Sequence, residues 1–577
     1  MKKIIFLLIL LFFNSCNKQS TESSKTPAFK LAIKDNITTL DPAKAYDVVS
    51  SKVLYQSYEQ LYEYHYLKRP FSLKPLLAEE MPIISNLGKR YTIKIKKGVP
   101  YHQDPSLKEG RKLKAEDFIH QIKRLAFKPT QSNGWWLFDG KIKGLNRFRE
   151  KVGNDFKKFF ETPVEGLKSP NDHTLIIDLI EPYPQMIYAL SMSFTSPIPK
   201  ESILFYKNDL SKKIIGTGPF KIESFKPEGP ITLRNFAQYN LSTYPNKGDR
   251  KSHSKNLLED AGKKLPFISE IKYKVLKNPE KRWQSFMNKE ISFLTLSRDH
   301  FKKSLNEFGD LKESLKKKDI KLQISPTLTF WWLSFNMKDP LLGKSKYLRL
   351  AISHAIDREH FIDLSTNNTG QKANSIYPPG VPGYDPSKAL SIAYDLKKAK
   401  NFLKKAGFPN GKGLPKIQYD TRGDGETSLK QATYFKGQLK KIGVEIEIIR
   451  NSFPAFLKKL RKGSLKLWMG GWSMDYPDAE NILQLLSSKN HPPGPNATFY
   501  SNKKFDQFFG NLKKAFSPQE KKALMKKMEE NVLKDLPWFM LYYQRTYTLV
   551  HKNVLNYRYS DIIPNTFKYI RMKSSNR

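Results

Sequence analysis

Covalent catalysis and metal binding need particular side chains grouped at particular spacings, and this sequence offers few such groupings. Its one cysteine is Cys16, and its ten histidines stand singly, with no pair at i,i+4 to set two imidazoles on one helical face. There is no Gly-x-Ser-x-Gly elbow, no His-Glu-x-x-His and no glycine-rich loop ending in Lys-Ser/Thr. The expectation is no catalytic residue, no metal site and no cofactor.

Charge narrows the classes further. Lys and Arg total 100 against 55 Asp and Glu, a formal net charge of +45. Such a balance can serve nucleic acid or anionic lipid. Here the lysines are scattered, with only short clusters such as Lys316-Lys317-Lys318 and Lys458-Lys459, so a solvated basic surface is expected and no nucleic-acid partner. At the N-terminus, Lys2-Lys3 precede the apolar run Ile4 to Phe13. That run is shorter than the roughly 20 residues a spanning helix needs, and it has the length of a signal-peptide core. Phe13-Asn14-Ser15-Cys16 follows and resembles a bacterial lipobox, with Phe13 and Asn14 departing from the usual pattern. The expectation is a signal peptide over 1–16, lipidation at Cys16, a polar tether over 17–27, and a periplasmic or cell-surface protein held to the membrane by acyl chains.

With 577 residues and 39% apolar composition, the chain is too long for one core, and two or three packed domains are expected. Tyr91, Ile93 and Ile95 alternate with polar residues as a half-buried strand does, and Phe118, Ile122, Leu125 and Ala126 recur at helical spacing. The most legible unit begins with a strand at Ile417 to Tyr419. A helix through Leu429, Ala432, Phe435, Leu439 and Ile442 follows, stopping at Gly443. Val444, Ile446 and Ile448 form the next strand, and Leu465, Leu467 and Met469 a third after another helix. Strand, helix, strand, helix, strand predicts parallel pairing in an α/β fold.

Several segments, in order along the chain, resemble the family 5 extracellular solute-binding proteins, which serve oligopeptide, dipeptide and nickel transporters of the ABC type. They include Leu40-Asp41-Pro42-Ala43, the stretch from Tyr91 to Val99 with Tyr101-His102, and Leu113 to Phe118. Gly216-Thr217-Gly218-Pro219-Phe220, Phe335-Asn336, Ala355-Ile356-Asp357-Arg358 and Gly470-Gly471-Trp472-Ser473-Met474-Asp475-Tyr476 continue the series. The resemblance implies a type II periplasmic-binding-protein fold, with two lobes, a hinge and three domains. Domain I would use 28–45, 197–300 and 540–577, domain II 46–196, and domain III 301–539. It also implies a monomer that hands its cargo to an ABC permease and its ATPase.

A carrier of varied peptides must grip what all peptides share, their charged ends and backbone amides, because a buried ammonium without a carboxylate is costly. In peptide-binding members an aspartate of the Gly-Trp-x-x-Asp segment takes the ammonium, and the matching residue is Asp475. A turn or cap role is the alternative for Asp475, although Asp478 is the better placed N-cap for the helix expected after Ala479. Trp472 would present a flat wall or else pack in the core, and Ser473 and Gly471 would offer backbone hydrogen bonds. Tyr46 and Val48 match the other side of the cleft by offset, and Tyr542 and Tyr543 complete the candidates. A nickel chelate, haem or another small solute stays open as cargo, and a secreted peptidase is the rival activity.

Overall fold

The computed structural model describes residues 27–226, 229–367, 369–387, 392–492 and 494–573. Cys16 and nearly all of the expected tether lie outside the described residues. The remainder forms a two-lobed α/β protein built on three larger sheets and two short hairpin-like ladders.

The first lobe holds two four-stranded sheets. In one, Phe29–Ile33 lies parallel to Glu270–Val275, which continues antiparallel through Ile231–Asn235 to Phe220–Phe225. In the other, Arg90–Lys94 pairs with Thr174–Asp178, so that Tyr91 sits opposite Ile177 and Ile93 opposite Leu175. Tyr91, Ile93, Leu175 and Ile177 are fully buried, and burying one such side chain contributes about 1.5–3 kcal/mol. The helix Ala115–Ala126 covers this region with Phe118, Ile122 and Leu125 turned inward. Asp117 in its first turn accepts the backbone N–H of Lys114 at 2.9 Å.

Two of the sequence motifs brace this lobe. Asp41 is fully buried against Arg124, with paired contacts of 2.7 and 3.1 Å. The same carboxylate accepts the N–H of Ala43, which fixes the loop leading to Tyr46. Gly218 donates its N–H to the Ser57 carbonyl at 2.8 Å, and a Cβ on Gly216 would lie 1.9 Å from that carbonyl oxygen. Glycine is required there by close approach of two backbones. His102 closes the same joint, its Nε2 lying 2.8 Å from the Gly218 carbonyl oxygen. Burial pushes its pKa down to about 4, so it is neutral at physiological pH.

The second lobe is organised by a seven-stranded mixed sheet. Ile417–Asp420 pairs in parallel with both Ile446–Ile449 and Leu467–Ser473, as the strand-helix-strand pattern predicts, with the helices Glu426–Lys440 and Phe453–Lys462 as crossovers. Beside them run two long antiparallel strands, Ile320–Phe335 and Trp538–His551. Their outer halves pair Ile320 with His551 through Pro326 with Arg545, and their inner halves pair Phe330 with Tyr543 through Ser334 with Trp538, with a register shift between. The inner halves pack into the second-lobe core around Leu333, Phe335 and Leu541, and the outer halves into a separate cluster around Ile320, Tyr547 and Leu549. The pair therefore runs continuously from one lobe to the other. Position 540, where a domain boundary is expected, falls inside this continuous strand.

Candidate functional site

The strand Leu467–Ser473 positions the site. Along one edge it is hydrogen-bonded throughout to Ile320–Phe335. Along the other, Ile417–Asp420 pairs only with Leu467 and Trp468, so from Met469 to Ser473 that edge meets no further strand among the described residues. Open strand edges present N–H and C=O groups to an extended ligand. Two glycines keep this stretch thin. A Cβ on Gly471 would lie 2.4 Å from the Trp331 ring and 2.9 Å from the Arg422 guanidinium, and one on Gly470 would lie 2.4 Å from Trp332 Nε1.

A cavity of about 450 Å³ adjoins this edge. It collects Asp475, Trp472, Ser473 and Gly471 from the second lobe and Tyr46 from the first. The Tyr46 hydroxyl donates to Asp475 Oδ1 at 2.9 Å, a contact between the lobes. Burial and then the neighbouring carboxylate hold the Tyr46 phenol well above its ordinary pKa. Asn481 braces the carboxylate from behind. Its amide donates to Asp475 Oδ2 at 3.2 Å, while its carbonyl oxygen accepts from Asp475 N at 3.2 Å and from Trp472 Nε1 at 2.9 Å. One side chain thus sets the orientation of both candidates. Asp478 accepts the N–H of Glu480 at 2.9 Å in the turn ahead of the helix Glu480–Leu483, but the N-cap of that helix is Ala479, so the expected capping role of Asp478 is not realised.

The other candidates are placed differently. Val48 opens the helix Val48–Ser57 and is 64% exposed, outside the cavity wall. Tyr543 is fully buried, donating to the Ser375 carbonyl at 2.6 Å and accepting its N–H at 2.9 Å. Its hydroxyl is spent on the core, so Tyr543 is not a cavity residue. Tyr542 faces the opposite side of its strand, buried and stacked on Trp331 with ring centroids 6.2 Å apart. It stands behind the wall and does not line the cavity.

Arg422 lines the cavity, and sequence reasoning did not single it out. Its guanidinium lies 4.9 Å from the Trp331 ring centroid and 5.6 Å from that of Phe453, and no carboxylate pairs with it among the described residues. Burial lowers its pKa. A stacked guanidinium presents its edge in a fixed plane, the geometry that suits a carboxylate. The only signal in sequence was a single arginine in Thr421-Arg422-Gly423, inconspicuous among 100 basic residues. Among the described residues no group of three or more His, Cys, Asp or Glu is placed to hold a metal, and no helix is long and apolar enough to cross a membrane.

Comparison with known proteins places this geometry. The family model for bacterial extracellular solute-binding proteins, family 5, matches residues 72–494. A glutathione-binding protein, GsiB of Escherichia coli strain K12, is 23% identical over 534 residues, covering 91% of each chain. Among solved structures, the periplasmic binding protein DppA of Helicobacter pylori in complex with the peptide STSA is 25% identical, with a TM-score of 0.67 over 96% of this chain and 99% of that one. HbpA2 of Haemophilus parasuis superposes with a TM-score of 0.77 at 21% identity, over 95% of this chain and all of that one. The expected type II periplasmic-binding-protein fold is present, and the Escherichia coli and Helicobacter relatives are binding proteins. The chain belongs to family 5 of the bacterial extracellular solute-binding proteins.

Proposed function

We propose that this protein captures short peptides between its lobes and delivers them to an ABC permease driven by its ATPase. The observation that carries the reading is the pairing of an Asp475 carboxylate and an unpaired Arg422 guanidinium in one cavity beside an open strand edge. A peptide has the complementary groups: an ammonium for Asp475, a carboxylate for Arg422, and amides for Met469 to Ser473. Charged groups buried at such a site are favourable only when paired, which favours zwitterions over neutral solutes. The glutathione named for the Escherichia coli relative and the peptide bound by the Helicobacter protein both belong to this chemical class.

Contacts to both lobes favour the closed form over the open one, and only that difference shifts the equilibrium. The continuous strands Ile320–Phe335 and Trp538–His551 supply the hinge, with the irregularity between Pro326 and Phe330 as the point of flexure. Around it we assign domain II to 46–196 and divide the rest between domains I and III, with the boundaries expected at 301 and 540 moved to the flexure between Pro326 and Phe330 and the strand paired with it. A diacylglycerol thioether on Cys16 anchors the monomer outside the cytoplasmic membrane.

Calorimetric titration with Ala-Ala-Ala tests the cargo and the anchor together. Asp475→Asn lowers affinity by about tenfold or more, which is the loss of a charge-assisted bond worth at least about 1.5 kcal/mol. Unchanged affinity contradicts the assignment.

A further inference from the structure

A groove of about 780 Å³ lies at the outer ends of the two crossing strands and shares no lining residue with the cavity at Asp475. Six lysines line it, Lys30, Lys272, Lys289, Lys318, Lys552 and Lys573, against one carboxylate, Asp319. Lys552 donates to that carboxylate at 2.9 Å, and Lys272 pairs with Glu270 of its own strand at 2.9 Å. The other four form no ion pair among the described residues. Strand alternation sets the first two side by side. Lys30 stands opposite Lys272 in the parallel pair, and their neighbours Phe29, Leu31, Ile271 and Tyr273 are buried, so both lysines face solvent. Backbone bonds of 2.8 Å from Lys552 N–H to the Asp319 carbonyl and from Lys573 N–H to the Asn553 carbonyl tie in the turns that carry the rest. Like charges gathered on neighbouring strands are destabilising, so the cluster costs the fold stability unless an anionic partner covers it.

We propose that this groove is the face the protein lays on an anionic phospholipid surface, with headgroup phosphates among its lysines. Pro27 and Ala28 line the same groove, and only ten residues separate Cys16 from Pro27. Eleven peptide steps reach at most about 40 Å when fully extended, so acyl chains on Cys16 keep this end of the molecule beside the membrane. That proximity rests on the Cys16 anchor proposed above. Attraction to an anionic leaflet fades within about 8–10 Å at physiological salt, and each lysine brought inside that range adds a further increment. The anchor supplies nearness, and the groove decides which face meets the lipid. All six cations are lysines, point charges that suit mobile phosphates better than one oriented carboxylate. No Phe, Tyr or Trp lines the groove, which leaves single-stranded nucleic acid without a ring to stack on.

The test is lysine acetylation of the full-length protein, read residue by residue by mass spectrometry. It is run on vesicles of phosphatidylcholine alone and of phosphatidylcholine with phosphatidylglycerol in equal parts. On the anionic vesicles Lys30, Lys289, Lys318 and Lys573 react about fivefold more slowly than on the neutral ones, the share of one lysine held near an anionic surface. Lys400 and Lys404, exposed on the second-lobe helix Leu396–Lys405, react alike on both. High salt removes the difference, and Lys30→Gln combined with Lys318→Gln shrinks the protection left at Lys289 and Lys573. Equal rates on the two vesicles overturn the proposal, as does protection no greater in the groove than at Lys400 and Lys404. Protection by duplex DNA without protection by the anionic vesicles overturns it too. The mass of the N-terminal peptide reports acylation of Cys16 separately. A difference between vesicles without acyl chains upholds the groove and sinks the anchor, whereas acyl chains without that difference sink the groove alone.

Discussion

The Tyr46 hydroxyl reaches Asp475 from 429 positions away in sequence and occupies an oxygen that a peptide ammonium would use. An ammonium forms the stronger, charge-assisted bond, so exchange of partners is favourable once the rest of the peptide is in place. At the other charge, Arg422 meets no acidic partner among the described residues. Arg422→Gln is expected to weaken Ala-Ala-Ala about tenfold, with amidation of the peptide costing the unaltered protein a similar factor and the variant almost nothing, as a titration matrix would show. At this scale the sequence was partly legible. Asp475, Trp472, Ser473, Gly471 and Tyr46 meet in one cavity, because motif order preserves the spacing of residues on a rigid strand and a braced loop. Arg422 was not legible, since its significance lies in meeting aromatic rings and no carboxylate among the described residues, and partners are a property of three dimensions. Tyr543 misled for the matching reason: its hydroxyl is consumed by Ser375, and nothing in the unbroken apolar run Trp538 to Tyr543 says which face is core.

Elements were more legible than side chains. The strand-helix-strand unit from Ile417 to Ser473 follows its periodicity, with the third strand beginning at Leu467 and extending to Ser473, past the alternation visible in sequence. The long crossing strands were missed, because burial on both faces of their inner halves erases the alternation that marks a half-buried strand. Asp357 of the Ala-Ile-Asp-Arg motif caps the helix Arg358–Thr366 by accepting from Glu359 and His360. The Gly216-Thr217-Gly218 joint gives the element-scale prediction. Gly216→Ala drives a methyl to within 1.9 Å of the Ser57 carbonyl oxygen, where the neighbour is backbone and cannot rotate away. A loss of about 1–3 kcal/mol of stability is expected from overpacking alone, measured by chemical denaturation. An unaltered midpoint would mean that the two backbones are not held together as described.

At the scale of the whole molecule, the lobes already touch at Tyr46 and Asp475 and where Tyr188 stacks on Tyr476, with ring centroids 5.3 Å apart and planes 8° from parallel. Two continuous strands join the lobes, and closure should depend on what a guest adds to both sides. The most direct measurement is small-angle scattering of the protein with saturating Ala-Ala-Ala and, at equal concentration, with the same peptide acetylated at its N-terminus. The account predicts a smaller radius of gyration with the free amine and none of that contraction with the acetylated peptide, which gives Asp475 nothing to hold. Equal contraction with both peptides, or contraction with neither, would contradict it.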